Sequence, residues 1–262
     1  MGDRCLIFSL ARCGSESLVS ILNCHPEILC VSEPFNRDNF DGQYLNRVKD
    51  ETTLREALAD LWKEYTGIKH VWDASGWPFT DLPEFNRLIL QAPGQRIILL
   101  TRKNSLKRIV SLCMAEQTKR WGVFSDEDRT AVSGFSFQEI PAKLVQWHLK
   151  GEQKLLPEYR ALLAEKSCPV MELSYEDLFD PARVLAERRK TITAVFDFLG
   201  HKEPEENDAR LRWNALLATR QTAVDAALLY GRIPNIAEIE KEFGSRDTGS
   251  LFSAQLQHSL NG

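Results

Sequence analysis

Residues 4–18 read Arg-Cys-Leu-Ile-Phe-Ser-Leu-Ala-Arg-Cys-Gly-Ser-Glu-Ser-Leu. The apolar run 4–9 is short and does not alternate, as expected of a strand covered on both faces. It leads into a turn with Gly14 and then into helical spacing over 15–23, with Leu18, Ile21 and Leu22 on one face. A strand, a tight turn and a helix start together form a candidate phosphate cradle. The first amide groups of the helix point outward without partners, and the helix dipole favours an anion. Gly14 lets the backbone approach a ligand closely. The segment Cys13, Gly14, Ser15, Glu16, Ser17 supplies amides, Ser15 and Ser17 add hydroxyls, and Arg12 offers a forked positive charge. The pattern is not G-x-x-x-x-G-K-[ST]: the basic residue precedes the glycine and no Lys follows it, which disfavours metal-assisted nucleotide hydrolysis. The plain alternative is an ordinary corner with a solvated Arg12.

Four more brief apolar segments read as strands: 28–33, 67–72, 97–101 and 169–174. Helical spacing lies between them. Asn104 can cap a helix to about 119, with Leu106, Ile109, Val110 and Cys113 inward. Residues 138–166 suggest one long helix or two, interrupted near Pro157. Residues 181–199 repeat apolar positions up to a stop at Gly200. Pro234-Asn235 opens a last helix through Phe243. Stretches 36–50 and 122–137 read as loops. Strands separated by helices imply an α/β chain: a P-loop-like three-layer fold, with a central parallel sheet of about five strands flanked by helices. With no repeat, linker or low-complexity tract, one domain over 1–262 is the economical expectation.

Composition narrows the function. The chain has 262 residues, 43% hydrophobic and 27% charged, which is ordinary globular material. A net charge of -4 does not support a nucleic-acid-coating surface, so an anionic ligand would need a local cluster of donors. The six cysteines form no CxxC pair and no zinc spacing, and read as reduced, mostly buried thiols. No run approaches the roughly 18 apolar residues needed to span a bilayer. A cytoplasmic protein without a metal is the expectation.

Other candidate site residues lie at strand ends. Leu100-Thr101-Arg102-Lys103 closes the fourth strand, and Ser111 follows on the next helix. Arg102 and Ser111 could clamp a second phosphate at the ligand-binding edge of a parallel sheet, with Lys103 an alternative cation. Taken alone, an Arg at a strand end is more often a surface charge. Glu33, in Ser32-Glu33-Pro34-Phe35, ends the second strand; it could accept a proton from an acceptor hydroxyl or simply pair with a nearby cation. On the third strand, His70 reads as a structural histidine. Lys69 could contact an acceptor. Trp72, Trp77 and Trp121 could stack on a base or sugar, a core role being the alternative.

The ordered set resembles the PAPS-dependent sulfotransferases (PAPS is 3′-phosphoadenosine 5′-phosphosulfate), particularly the bacterial carbohydrate and Nod-factor type. Arg12 to Leu18 match the R-x-G-S-x-S-L loop for the 5′-phosphosulfate. His25-Pro26 and Glu33-Pro34-Phe35 match the next two elements. Leu100-Thr101-Arg102 and Ser111 match the 3′-phosphate site. Tyr175-Glu176-Asp177-Leu178, Phe198-Leu199-Gly200, Arg220-Gln221 and Ile233-Pro234-Asn235 follow in order. Glu16 departs from the Thr or Ser common at its position.

The resemblance implies in-line transfer of a sulfuryl group from PAPS to a small-molecule or carbohydrate acceptor. Arg12 would stabilise the leaving group, and the amides and hydroxyls of 13–17 would hold the phosphosulfate. Arg102, Ser111 and, more weakly, Arg220 would hold the 3′-phosphate. Glu33 would be the base, with His70 the alternative because some sulfotransferases use histidine, and Lys69 an acceptor or sulfuryl contact. A P-loop small-molecule kinase and a non-catalytic nucleotide- or glycan-binding member of the same fold are the competing readings.

Overall fold

The computed structural model describes residues 4–72, 82, 84–121, 126–180, 182–204, 212 and 229–252. Its described residues contain one five-stranded sheet: β1 (Cys5–Leu10), β2 (Cys30–Ser32), β3 (Gly67–Trp72), β4 (Arg96–Thr101) and β5 (Val170–Ser174). The strand order is β2-β3-β1-β4-β5, and every pairing is parallel. β1, β3 and β4 are buried almost throughout, because a parallel strand with helices on both faces has no wet side. β5 lies at the edge, and its first three residues are partly or fully exposed.

Parallel pairing puts all five carboxyl ends on one rim. The chain works outward from β1 to β2, returns through β3, then crosses to β4 on the other side of β1. That reversal makes the rim beside β1 the place where such sheets take ligands. Helix α1 (Ser15–Leu22) leaves β1 at this point and packs Leu18, Val19, Ile21 and Leu22 into the core.

The chain divides into two compact units, each with its own core. Unit 1 comprises Met1–Thr101 and Glu152–Gln221 and contains the sheet. Its core gathers Leu6, Ile7, Phe8, Leu58, Ile68, Ile98, Phe179 and Phe196. Beyond β2 come a 3₁₀ turn (Phe40–Gly42), α2 (Gln43–Arg47) and α3 (Glu51–Glu64), the last opened by a capping box between Asp50 and Thr53. The stretch expected as a loop over 36–50 thus contains two short helical turns, too brief for a readable period.

Helix α4 is Phe85–Gln91, and α8 (Tyr175–Phe179) follows β5 directly. Helix α9 (Leu185–Leu199) ends where Gly200 adopts φ 87, with Gly200 N–H donating to Asp197 O and His201 N–H to Phe196 O.

Unit 2 comprises Arg102–Gly151 and Thr222–Gly262. It contains α5 (Ser105–Thr118), α6 (Asp126–Gly134), the first part of α7 (Ala142–Ala164) and α10 (Ile236–Phe243). Leu106, Ile109, Val110, Ile140, Val145, Ile233, Ile236 and Ile239 form its core. Residues 122–137, expected as a loop, carry α6. Helix α7 runs through Pro157 without a break, and Tyr159 and Leu163 beyond it are buried in the core of unit 1. The packing of those side chains offsets the hydrogen bond that proline removes.

Candidate active site

The cradle begins where β1 ends. Arg12 takes φ 68 and Gly14 takes φ 83. Gly14 sits at the N-cap of α1 with no side-chain cap; a Cβ there would lie 2.8 Å from Phe179 Cε2 and 3.0 Å from Tyr175 Cδ2. Those two rings belong to α8 and stand 5.3 Å apart. The Tyr175-Glu176-Asp177-Leu178 segment therefore backs the cradle sterically. Ser174 and Asp177 hold it with a reciprocal capping box: Asp177 N–H donates to Ser174 Oγ, and Ser174 N–H donates to Asp177 Oδ2.

Gly14 O accepts from Ser17 N–H and Leu18 N–H, each at 3.1 Å, which closes the first helical turn. Ser17 Oγ is buried without a hydrogen-bond partner among the described residues. A buried hydroxyl lacking a partner is costly, and an oxyanion in the cradle would satisfy it. A bare glycine under two rings and an orphan hydroxyl beside a helix start fit a phosphate or sulfate group.

The second strand delivers Glu33. Its N–H donates to Lys69 O at 2.9 Å, extending the β2–β3 ladder, after which the backbone turns at φ 48. Positive φ at a residue other than glycine costs on the order of 1–3 kcal/mol and persists only where its surroundings enforce it. Here Asn39 Nδ2 donates to both Ser32 O and Glu33 O, and Asn36 N–H donates to Glu33 O. Asn36 Nδ2 donates to Glu33 Oε2 at 3.0 Å. Both Arg12 and Glu33 thus sit in left-handed backbone at the ends of their strands.

The third strand delivers Lys69, whose side chain is 5% exposed. Its ammonium lies 2.7 Å from Glu33 Oε1 and 2.5 Å from Glu16 Oε2. Ser32 Oγ also donates to Glu16 Oε2, at 2.9 Å. Glu16, Lys69 and Glu33 therefore form one ionic cluster at the rim. It brings together the departure from the common loop pattern, the candidate base and the candidate sulfuryl contact. The cation paired with Glu33 is Lys69.

His70 points to the opposite face of β3 from Lys69, since side chains alternate along a strand. It is 2% exposed among Phe8, Phe35 and Phe85, and its Nε2 lies 2.8 Å from Asn86 Oδ1. Burial pushes its pKa down to about 4, opposed by the Asn86 hydrogen bond and the charge of Glu33. Trp72 is buried against Phe8 and Tyr159, which is a core position.

In unit 2, Arg102 follows the last residue of β4 and is half-buried, whereas Lys103 is exposed. Ser111 is half-buried on α5. The start of that helix is firmly held: Asn104 Oδ1 accepts from Lys107 N–H, Asn104 Nδ2 donates to Ser250 O, and Leu106 N–H donates to Thr248 O. Arg220 and Trp77 lie outside the described residues.

Some functional groupings had no sequence signal. Asn36, Asn39 and Asn86 fix Glu33 and His70. Asn36 and Asn39 lie in the stretch 36–50 read as a loop, and Asn86 lies in a stretch given no reading. At the amino end of the strands, His25, Glu27 and His201 bring potential ligand atoms within 4.8 Å of one another. Local spacing does not reveal this group. Both ring nitrogens of His25 are already engaged, one by Glu27 N–H and the other by Lys202 O.

No family model matches the chain. Nodulation protein H of Rhizobium tropici is 28% identical over 203 residues, covering 74% of each chain. Nodulation protein H of Rhizobium meliloti strain 1021 is 24% identical over 200 residues, covering 74% of this chain and 76% of its own. Over about three quarters of its length the chain is thus similar to nodulation protein H of two rhizobia. A crystal structure of a sulfotransferase from Alicyclobacillus acidocaldarius covers 84% of this chain and 94% of its own, at 17% identity and a TM-score of 0.42. The chain itself has an α/β fold, a five-stranded parallel sheet flanked by helices, and among its described residues no helix is long and apolar enough to cross a membrane.

Proposed function

We propose that the protein is a sulfotransferase that moves the sulfuryl group of PAPS to a hydroxyl or amine of a small-molecule or carbohydrate acceptor, with Glu33 as the base. The observation that carries the reading is the ion cluster Glu16–Lys69–Glu33 at the rim where the α1 cradle opens.

In this scheme the acceptor oxygen or nitrogen forms a bond to sulfur while the bond from sulfur to the bridging phosphate oxygen breaks. Adenosine 3′,5′-bisphosphate leaves, and the acceptor proton passes to the Glu33 carboxylate. Arg12 carries a positive charge to the bridging oxygen, and the amides and hydroxyls of Cys13 to Ser17 hold the phosphosulfate. The protein contributes position and charge rather than covalent chemistry. By the resemblance, Arg102 and Ser111 grip the 3′-phosphate, Arg220 assists, and Lys69 meets the sulfuryl oxygens. His70 is enclosed by Phe8, Phe35 and Phe85, and burial lowers its pKa to about 4, so it is a weak base out of reach of solvent and suits packing β3 better than the role of alternative base. All six cysteines are free thiols, in keeping with a reducing, cytoplasmic setting.

The test is transfer of labelled sulfate from PAPS to a metabolite extract, alongside titration with PAPS and with ATP–magnesium. Glu33→Gln should cut turnover at least about a hundredfold while PAPS still binds. Unchanged turnover would remove Glu33 from the chemistry, and tighter binding of ATP–magnesium than of PAPS would favour a kinase.

A further inference from the structure

Glu16 stands in the first turn of α1, inside the cradle read as the phosphosulfate site, and it brings a negative charge to a place built for an anion. Its carboxylate is held by Lys69 at 2.5 Å and by Ser32 Oγ at 2.9 Å. An ammonium group has three donors. Two of those on Lys69 serve Glu16 and Glu33. With all three side chains ionised, the cluster sums to one negative charge. A sulfuryl group that takes the third donor of Lys69 would gather three anions around that ammonium, with Arg12 the other cation of the cradle, and repulsion among them favours release of one carboxylate.

The two carboxylates are not equally able to do so. Glu33 is 22% exposed, and Asn36 fixes its second oxygen. Glu16 is 45% exposed and can turn to water at small desolvation cost. Lys69, at 5% exposure, has no route to solvent and can change partners only where it stands.

We propose, resting on the sulfotransferase reading, that Glu16 is a built-in competitor for the sulfuryl group. It occupies Lys69 when no donor is bound, gives Lys69 up to the sulfuryl oxygens of PAPS, and takes it back after transfer. It thereby sets how tightly the protein holds PAPS relative to adenosine 3′,5′-bisphosphate, which has no sulfuryl group and leaves the Glu16–Lys69 pair intact. Glu16 is a specificity-determining residue in this account, and Lys69 is the group it contests.

The experiment is calorimetric titration of PAPS and of adenosine 3′,5′-bisphosphate into wild type, Glu16→Gln and Ser32→Ala. Glu16→Gln should tighten PAPS about tenfold and leave the bisphosphate within about twofold, since one like charge is removed beside the sulfuryl oxygens. Ser32→Ala loosens the same carboxylate and should move the ratio in the same direction by a smaller factor. It also provides a second variant if Glu16→Gln folds poorly. Equal shifts for both ligands, or none in either variant, overturn the competition while leaving the sulfotransferase reading in place. A wild type that binds neither ligand overturns both.

Discussion

His70 gives the sharpest quantitative expectation. Its folded-state pKa is about 4, against an ordinary value of 6.5, with burial as the leading cause. The unfolded chain therefore binds a proton that the folded chain refuses. Stability is complete above the ordinary value and is lost as pH falls toward 4. At about pH 5, that gap converts to a loss of about 2 kcal/mol, and to about 3 kcal/mol once both states are protonated. The perturbation is a drop from about pH 7.5 to about pH 5, applied to wild type and to His70→Gln, which keeps a polar tip near Asn86 but does not titrate there. Urea unfolding followed by tryptophan fluorescence reads both. Wild type should lose about 2 kcal/mol more than the variant across this interval. Other titrating groups, including the buried His25, are common to the two proteins and cancel. Equal losses would show that His70 protonates without penalty, and its enclosure by Phe8, Phe35 and Phe85 could not then govern its titration.

Two more outcomes follow from the geometry. Gly14→Ala places a Cβ 2.8 Å from Phe179 in a backbone of φ 83. Left-handed strain and overpacking together should cost about 2–4 kcal/mol and weaken PAPS binding, and an unchanged melting temperature would contradict the close approach. Arg102→Ala should weaken PAPS far more than the same nucleotide without its 3′-phosphate, and equal losses in titration would remove Arg102 from that role.

Much of the fold is readable because parallel sheets write themselves plainly. The run 67–72 matches β3 end to end, and the other strands lie within two residues of their apolar segments at each end. Gly200 marks the end of α9 because few other residues accept φ 87 at low cost. The short helices α2 and α6 escape reading, because five or nine residues show too little of a 3.6-residue period. Pro157 suggested a break that packing overrides.

At the rim, the placement of Glu33 at a strand tip follows from the apolar run before it, and the Arg12–Ser17 corner follows from Gly14. Their chemistry does not. Lys69 is 53 positions from Glu16 in sequence, and nothing in either neighbourhood names the other as its partner.

The order of residue types along the chain was enough to specify a parallel sheet, its carboxyl-end rim and a glycine corner at a helix start, since these depend on periodicity and on residues a few positions apart. Which cation faces Glu33, why Glu16 shares that same cation, and why burial lowers the pKa of His70 depend on strands β2 and β3 lying side by side and on α1 docking over them. Those are contacts between distant segments, and a charge takes its partner from whatever the fold brings within a few ångströms.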